Sequence, residues 1–192
     1  MTKVHPNNAC TSFDERASVL TVWKKSLLFN CEGFTVYDGK GNLVFRVDNY
    51  MNGHKHKIVL MNASGEPLLT IRRKKLSLLG DCWLVYDGET ERDPRFCARK
   101  HVSIMPKNSK SLAYVMSTKK TTLYEIEGSY SQRSCRILDE KRKRKAGEMK
   151  RKERVGGVGF GPDVFTLVVE PDMDTSVAMA LVILLDQMFG SH

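Results

Sequence analysis

The stretch TSVAMALVILLDQMF, residues Thr175 to Phe189, is an almost uninterrupted apolar run in a chain of which 28% is charged. Asp172, Asp174 or Thr175 can cap the start of a helix here and complement its positive N-terminal dipole. Gly190 follows the run and can end that helix. The pattern therefore predicts a C-terminal helix.

This helix has no polar face over Val177 to Leu185, where nine consecutive residues are apolar. Such a helix must be surrounded on all sides, either by lipid or by protein. From Ser176 to Phe189 it would extend over roughly 21 Å, at ~1.5 Å per residue, against a hydrocarbon core of ~30 Å. The helix is too short to span the hydrocarbon core comfortably, which favours protein as its surroundings. We therefore expect a helix enclosed by the rest of the fold.

The rest of the chain has the pattern of β-hairpins. Phe34 to Asp38 and Leu43 to Asp48 flank Gly39-Lys40-Gly41-Asn42, and Asn62-Ala63-Ser64-Gly65 lies in a second hairpin of the same design. Glycine provides the positive φ that such tight turns require. Further candidate strands are Leu20 to Lys25, Leu112 to Met116, Leu123 to Gly128, Ser134 to Asp139, Arg154 to Gly159 and Val164 to Glu170. About a dozen strands at hairpin spacing suggest a sandwich or barrel, and the enclosed helix favours a closed antiparallel barrel around it.

Length and composition fit one intracellular domain. The chain has 192 residues, which suits a flexible N-terminal arm (1–18) and a single domain (19–192). The first twenty residues lack the apolar segment of a secretory signal, so we expect a cytoplasmic protein. The five cysteines are odd in number and scattered, which is typical of reduced thiols: Cys10, Cys31, Cys82, Cys97 and Cys135.

The net charge of +9 is concentrated in one segment, KRKRKAGEMKRKER, which contributes +7 of it. Its basic residues are Lys141, Arg142, Lys143, Arg144, Lys145, Lys150, Arg151, Lys152 and Arg154. The composition predicts a solvated, disordered basic loop over residues 140–154. This loop could be recognised by a nuclear importer or attract anionic lipid. No base-reading motif accompanies it, so we expect no specific nucleic-acid partner.

A second basic cluster consists of Arg72, Arg73, Lys74 and Lys75, directly after the apolar run PLLTI. If the strand ends there, four cations converge at a rigid point, and they are candidate residues for binding an anion or a lipid head group. The alternative is an ordinary polar hairpin tip.

Catalytic and metal-binding motifs are missing from the sequence. Gly156 to Gly161 resembles a phosphate loop, but the glycine spacing fails and no helix follows. Cys97 and His101 are four residues apart, yet no second ligand pair is placed to complete a zinc site. We therefore expect no enzyme activity, no cofactor and no metal.

Three segments carry a resemblance to a known family. LTVWKKSLLFNCEGFTVYDGKGNLVFRVDNY (Leu20 to Tyr50), GDCWLVYDGE (Gly80 to Glu89) and DVFTLVVEPDMDTSVAMALVILLDQM (Asp163 to Met188) resemble the plant LURP-one-related family. That family is similar to tubby C-terminal domains and phospholipid scramblases, which implies a twelve-stranded barrel around a hydrophobic helix. Tubby domains bind phosphoinositides through basic residues, but no matching motif carries those residues over. The resemblance also implies a link with plant defence.

These observations together predict a monomeric, noncatalytic binding or scaffolding module in the cytoplasm. We expect anionic phospholipid or phosphoinositide head groups and unidentified proteins as its partners. A phospholipid-scramblase-like protein is one alternative. A nuclear regulator imported through the basic run is another.

Overall fold

The computed structural model describes residues 16–28, 31–50, 57–76, 80–90, 92–102, 110–153 and 159–190. The described residues form twelve β-strands followed by one α-helix. The strands are β1 (Ser18–Trp23), β2 (Cys31–Tyr37), β3 (Leu43–Tyr50), β4 (Lys57–Asn62), β5 (Pro67–Leu76), β6 (Gly80–Asp87), β7 (Phe96–Lys100), β8 (Ser111–Met116), β9 (Thr122–Ser129), β10 (Ser134–Asp139), β11 (Arg144–Arg151) and β12 (Val164–Val169). The helix is α1 (Thr175–Phe189).

The strands form a closed antiparallel barrel in which each strand pairs with its neighbours in the chain. β1 closes the barrel against β12, with Ser18 opposite Val169 and Trp23 opposite Val164. The predicted fold class, a closed barrel of about twelve strands with a C-terminal helix, is confirmed. Closure leaves no unpaired sheet edge.

The two ends of the barrel are defined by the direction of α1. Lys24, just after β1, contacts Asp186 in the last turns of α1. Because all strand pairs are antiparallel, odd-numbered strands end and even-numbered strands begin on that side. We call it the α1 C-terminal end, and the opposite side the α1 N-terminal end.

The core consists of the inward-facing side of each strand and the whole middle of α1. In β1, Leu20 and Val22 are buried while Val19 and Trp23 are exposed, as the two-residue period of a strand requires. In α1, every residue from Val177 to Asp186 is buried. The prediction of a helix enclosed by protein is therefore confirmed.

Both helix ends have identifiable caps. The Asp174 carboxylate accepts hydrogen bonds from the Ser176 amide at 2.8 Å and the Ser176 hydroxyl at 2.7 Å. At the other end the Gly190 amide donates to the Asp186 carbonyl at 2.7 Å. An added Cβ at Gly190 would crowd Asp186, so glycine is required here for space, and its φ of −65° is ordinary.

The prediction of a disordered basic loop at 140–154 is wrong for most of that segment. Residues 140–143 form a tight turn, in which Lys143 has a φ of 52°, and Arg144–Arg151 is strand β11. Ala146 and Met149 face the core and are buried. β11 is therefore held by these two buried side chains and by its pairing with β10 and β12, although its composition is basic.

Three other sequence predictions fall partly outside the described residues. The N-terminal arm is one of them, since residues 1–15 are not described, and β1 already begins at Ser18. Arg154 and most of the strand expected from Arg154 to Gly159 are also outside the described ranges.

Candidate anion-binding surface

The cluster Arg72 to Lys75 lies within β5 and does not converge. In the register with β6, Arg73 is opposite Trp83 and Lys74 is opposite Cys82. Neighbouring residues of a strand point to opposite faces, so Arg73 lies on one face of the sheet and Arg72 and Lys74 lie on the other. The predicted convergence at a strand end is therefore wrong, whereas lipid binding by these residues stays a prediction.

The members of this cluster differ in how far their charge is compensated. Nε of Arg73 donates to Oδ2 of Asp81 at 2.8 Å, and its guanidinium lies 5.6 Å from the centre of the Trp83 ring. Lys74 is exposed and has no acidic partner among the described residues. Arg73 is therefore held in place, whereas Lys74 presents its charge to solvent.

The first part of the basic run is neutralised by acids at the α1 N-terminal end. Its ion pairs are Lys143–Glu140 (2.6 Å), Lys145–Glu148 (3.3 Å), Lys145–Glu170 (3.3 Å), Arg142–Asp172 (3.7 Å), Arg142–Asp139 (3.8 Å) and Arg144–Asp172. The hydrogen bond to Glu170 raises the pKa of Lys145. An added anion would have to displace carboxylates already in place, so this end is a poor anion site.

In the last part of the basic run, at the α1 C-terminal end, Lys150 pairs with Glu148 at 3.0 Å, whereas Arg151 and Lys152 have neutral partners. Nε of Arg151 donates to the Gln132 carbonyl at 3.1 Å, and Nζ of Lys152 donates to Oγ1 of Thr21 at 2.9 Å. These contacts position the side chains without cancelling their charge. The cations of β11 are therefore compensated from Arg144 to Lys150, whereas Arg151 at its end and Lys152 just after it keep their charge uncompensated.

Exposed apolar side chains lie at the same end of the barrel. Trp23 is 41% exposed, Leu27 49% and Phe160 44%. Nζ of Lys25 lies 5.1 Å from the centre of a Trp23 ring. Sequence reasoning missed this group, although an outward aromatic beside two lysines in VLTVWKK was a usable signal.

A buried polar network lies just inside this end. Nζ of Lys24 is 2.9 Å from Oδ1 of Asp186, and the Tyr130 hydroxyl donates to the same oxygen at 2.8 Å. The Arg133 guanidinium lies 4.2 Å from the Tyr130 ring centre and 4.7 Å from that of Phe165. Asp186 was visible in the sequence as an acid within the apolar run, but its partners Lys24 and Tyr130 are distant in the chain and could not be predicted.

Neither a metal site nor a spanning helix is found in the ranges that the structure describes. No group of three or more His, Cys, Asp or Glu side chains could hold a metal ion there. No helix in those ranges is both long enough and apolar enough to cross a membrane. The cysteines Cys82, Cys97 and Cys135 are free thiols.

Comparison with known proteins finds the LURP-one-related family over residues 18–186. The Arabidopsis thaliana protein LURP-one-related 8 is 68% identical over 198 residues and is covered completely, as is this chain. LURP-one-related 17 of the same species is 44% identical, with 97% of this chain and 95% of the relative covered. An X-ray structure of another A. thaliana protein has the same fold, with a TM-score of 0.67, 22% identity, and 90% and 91% of the two chains covered. A match over most of the chain, with relatives aligned along nearly their full length, means that this protein belongs to the LURP-one-related family.

Proposed function

We propose that the protein is a noncatalytic binding module that is recruited reversibly to anionic, phosphoinositide-containing membranes through the α1 C-terminal end of its barrel. The setting implied by the family resemblance is plant defence signalling in the cytoplasm. The observation that carries the proposal is the unequal compensation of basic residues at the two ends of the barrel.

The cations at the α1 C-terminal end include the exposed Lys25, Lys74, Lys100 and Arg151 and the half-buried Lys152. Their recorded contacts are with aromatic rings, a hydroxyl or a carbonyl, and so leave the positive charge available. Each cation near an anionic bilayer contributes about 1 kcal/mol. Several such cations are enough for reversible recruitment.

The acids on this side are fewer and partly occupied. Asp81 pairs with Arg73, and Asp186 is buried against Lys24. The exposed acids on this side reduce the positive potential without matching the group of cations; they are Glu32, Glu153 and Asp163. The resulting field favours approach of this end to a negative surface.

Vesicle cosedimentation of the full chain tests this proposal. We expect binding to phosphatidylcholine vesicles that contain phosphatidylserine and phosphatidylinositol bisphosphate, and loss of most binding as salt rises from about 0.1 M to 1 M. Over that range the Debye length falls from ~10 Å to ~3 Å. Absence of binding at low salt would contradict the proposal.

Two charge-matched triple variants locate the surface. Neutralising Lys74, Arg151 and Lys152 to Gln should weaken vesicle binding by up to about 100-fold, at ~1 kcal/mol per cation. The control neutralises Lys40, Lys119 and Lys141, which are exposed in turns at the α1 N-terminal end. Equal losses in both variants would mean that net charge, and not the α1 C-terminal end, controls recruitment.

Selectivity among lipids is tested separately on β5. Changing Arg72 and Arg73 to Gln, one at a time because they lie on opposite faces of β5, should remove any preference for phosphoinositide over phosphatidylserine, since a guanidinium matches phosphate geometry better than an ammonium. Arg73 would have to exchange its partner Asp81 for phosphate. Non-selective binding should fall less. An unchanged preference would exclude these two residues from the head-group site.

The nuclear-import alternative receives less support. An import signal is read most easily as an extended, accessible peptide, whereas Arg144–Arg151 is a paired strand with acids beside several of its cations. The scramblase-like alternative would need a path for lipid through the membrane, and the apolar helix is enclosed by the barrel. Recruitment to the bilayer surface requires neither the unpairing of β11 nor the release of α1 from the barrel.

A further inference from the structure

We infer that Trp23, Leu27 and Phe160 form an apolar rim that inserts into the interfacial zone of an anionic bilayer. This inference rests on the proposed membrane recruitment and adds to it a docking element that is not electrostatic. It also specifies an orientation, with the β1–β12 corner of the barrel facing the lipid.

The pairing of β1 with β12 brings the segments that carry Trp23 and Phe160 to one corner of the α1 C-terminal end, and Leu27 follows β1 at the same end. Trp23 lies opposite Val164, and the Lys24 amide donates to the Asp163 carbonyl at 2.7 Å. The Val164 amide donates to the Gly161 carbonyl at 3.1 Å, which turns the chain back next to Phe160. The backbone segments of Trp23 and Phe160, which are 137 positions apart in the sequence, thus lie at the same corner.

Leu27 is exposed because its neighbour is anchored. The Ser26 hydroxyl donates to Oδ1 of Asp48 at 2.6 Å, and the Leu28 amide donates to the Ser26 hydroxyl at 3.0 Å. Ser26 is buried while Leu27 is 49% exposed. The backbone therefore presents Leu27 to solvent from a fixed position.

A group of exposed apolar residues differs from single exposed residues, which are normal on any surface. Three large exposed apolar side chains at one end of the barrel, next to basic residues, are typical of an interaction site. The outward position of Trp23 follows from strand alternation, since Leu20 and Val22 occupy the core side of β1. Trp23 nevertheless leaves 41% of its surface in solvent, which is unusual for so large an aromatic side chain.

The charge around the rim favours a bilayer as its occupant. Lys25 packs over the Trp23 ring, and Lys152 donates a hydrogen bond to Thr21, which lies on β1 as Trp23 does. Aromatic side chains flanked by lysines match the membrane interface, where the ring enters the head-group region and the ammonium meets anionic lipid. Two copies facing each other through this rim would instead bring the same lysines together, which disfavours a dimer.

Tryptophan fluorescence tests insertion directly, because the chain has two tryptophans. Trp83 is only 5% exposed and belongs to the core. Vesicles containing dibrominated phosphatidylcholine and phosphatidylserine should quench the emission of the full chain. In Trp23→Phe, the remaining Trp83 emission should be unaffected by the same vesicles.

Binding variants separate the apolar rim from the charge. Leu27→Ser and Phe160→Ser should each weaken vesicle binding by about 3- to 10-fold, since partial burial of one such side chain contributes on that order. The salt dependence should be unchanged. Val19→Ser is the matched control. Val19 is exposed on β1, the strand that carries Trp23, but it lies at the opposite end of that strand.

Each outcome separates this inference from the proposed function. No binding at low salt overturns both. Salt-sensitive binding without Trp23 quenching, and without an effect of Leu27→Ser or Phe160→Ser, overturns the rim and leaves electrostatic recruitment intact. A lipid-free dimer in sedimentation that Leu27→Ser dissociates would show that a second copy occupies the rim, and would also overturn the inference.

Discussion

The Tyr130 hydroxyl donates a 2.8 Å hydrogen bond to Oδ1 of Asp186 inside the barrel, where each residue is only 4% exposed. Tyr130 lies just after β9, and Asp186 lies near the end of α1, so the bond ties the barrel wall to the central helix. Burial raises the pKa of Tyr130, and the negative charge of Asp186 raises it further. The hydroxyl therefore stays protonated and able to donate throughout the neutral pH range.

Removing this hydroxyl should destabilise the fold without preventing it. Tyr130→Phe should lower the free energy of unfolding by about 1.5–3 kcal/mol, because a buried hydrogen bond to a charged group is lost and Asp186 retains only Lys24. Urea unfolding measures the change. Tyr37→Phe is the control, since the Tyr37 hydroxyl has no recorded hydrogen bond to a described residue, and an equal loss there would contradict this account.

The Asp174 cap should contribute to stability in a pH-dependent way. Asp174→Ala should lower the free energy of unfolding by about 1 kcal/mol at neutral pH. Burial by itself would raise the pKa of Asp174, but the hydrogen bonds from Ser176 and the charge of Arg95 outweigh it and hold the pKa below 3.8. A lowered carboxyl pKa stabilises the fold above the unfolded value, and this stabilisation is lost as the pH falls through the folded pKa.

The matched control for the cap is Asp174→Asn, which keeps a side-chain oxygen but does not titrate. Unfolding curves at pH 7 and at about pH 3 should show the wild-type advantage over Asp174→Ala shrinking in acid, whereas the advantage of Asp174→Asn should persist. A wild-type advantage that is independent of pH would mean that the carboxylate charge does not matter at the cap.

A charge in the middle of α1 should prevent folding. Ala180→Asp places an unpaired carboxylate at a fully buried position, and the cost of several kcal/mol is comparable to the whole stability of a domain. Deleting residues 175–192 should have the same effect by emptying the barrel. Thr175→Asp is the control, because it adds the same charge at the half-buried first residue of α1, where the helix dipole favours it.

Circular dichroism and size-exclusion chromatography can distinguish these outcomes. The Thr175→Asp variant should remain folded and monodisperse, while Ala180→Asp and the truncated chain should aggregate or lose cooperative unfolding. A truncated chain that stays monomeric and unfolds cooperatively would show that the helix is not an integral part of the core.

Gly33 should not tolerate a side chain. A Cβ added there would overlap the Val47 carbonyl on the paired strand β3, and backbone cannot move as a flexible side chain can. Gly33→Ala should lower the free energy of unfolding by about 1–3 kcal/mol or more. Gly39→Ala is the control because open space surrounds that position, and similar midpoints for both variants in thermal unfolding would contradict the contact.

Local sequence patterns were sufficient for the architecture. The two-residue period in VLTVW and the nine apolar residues of α1 report which faces are buried, and burial of apolar surface dominates the choice of fold. The helix limits were also readable, because the Asp174 cap and Gly190 act on residues within one turn of themselves.

Charge composition was a poor guide to order in the basic run. Nine cations in a short segment predicted a disordered loop, but Ala146 and Met149 bury against the core, and Glu170 and Asp172 from the β12–α1 connection pair with Lys145 and Arg144. The composition of one segment cannot show which acids from a distant part of the chain will lie next to it in the folded barrel.

The candidate surface depended on tertiary structure for the same reason. The sequence by itself determined that a barrel encloses its last helix, because periodicity and capping are properties of neighbours in the chain. Only the closed register between β1 and β12 decided that Trp23 and Phe160 share a corner, and only the direction of β11 decided that Arg144 faces acids while Arg151 does not. Electrostatic and surface contacts act between residues distant in sequence, so they are set when the barrel closes.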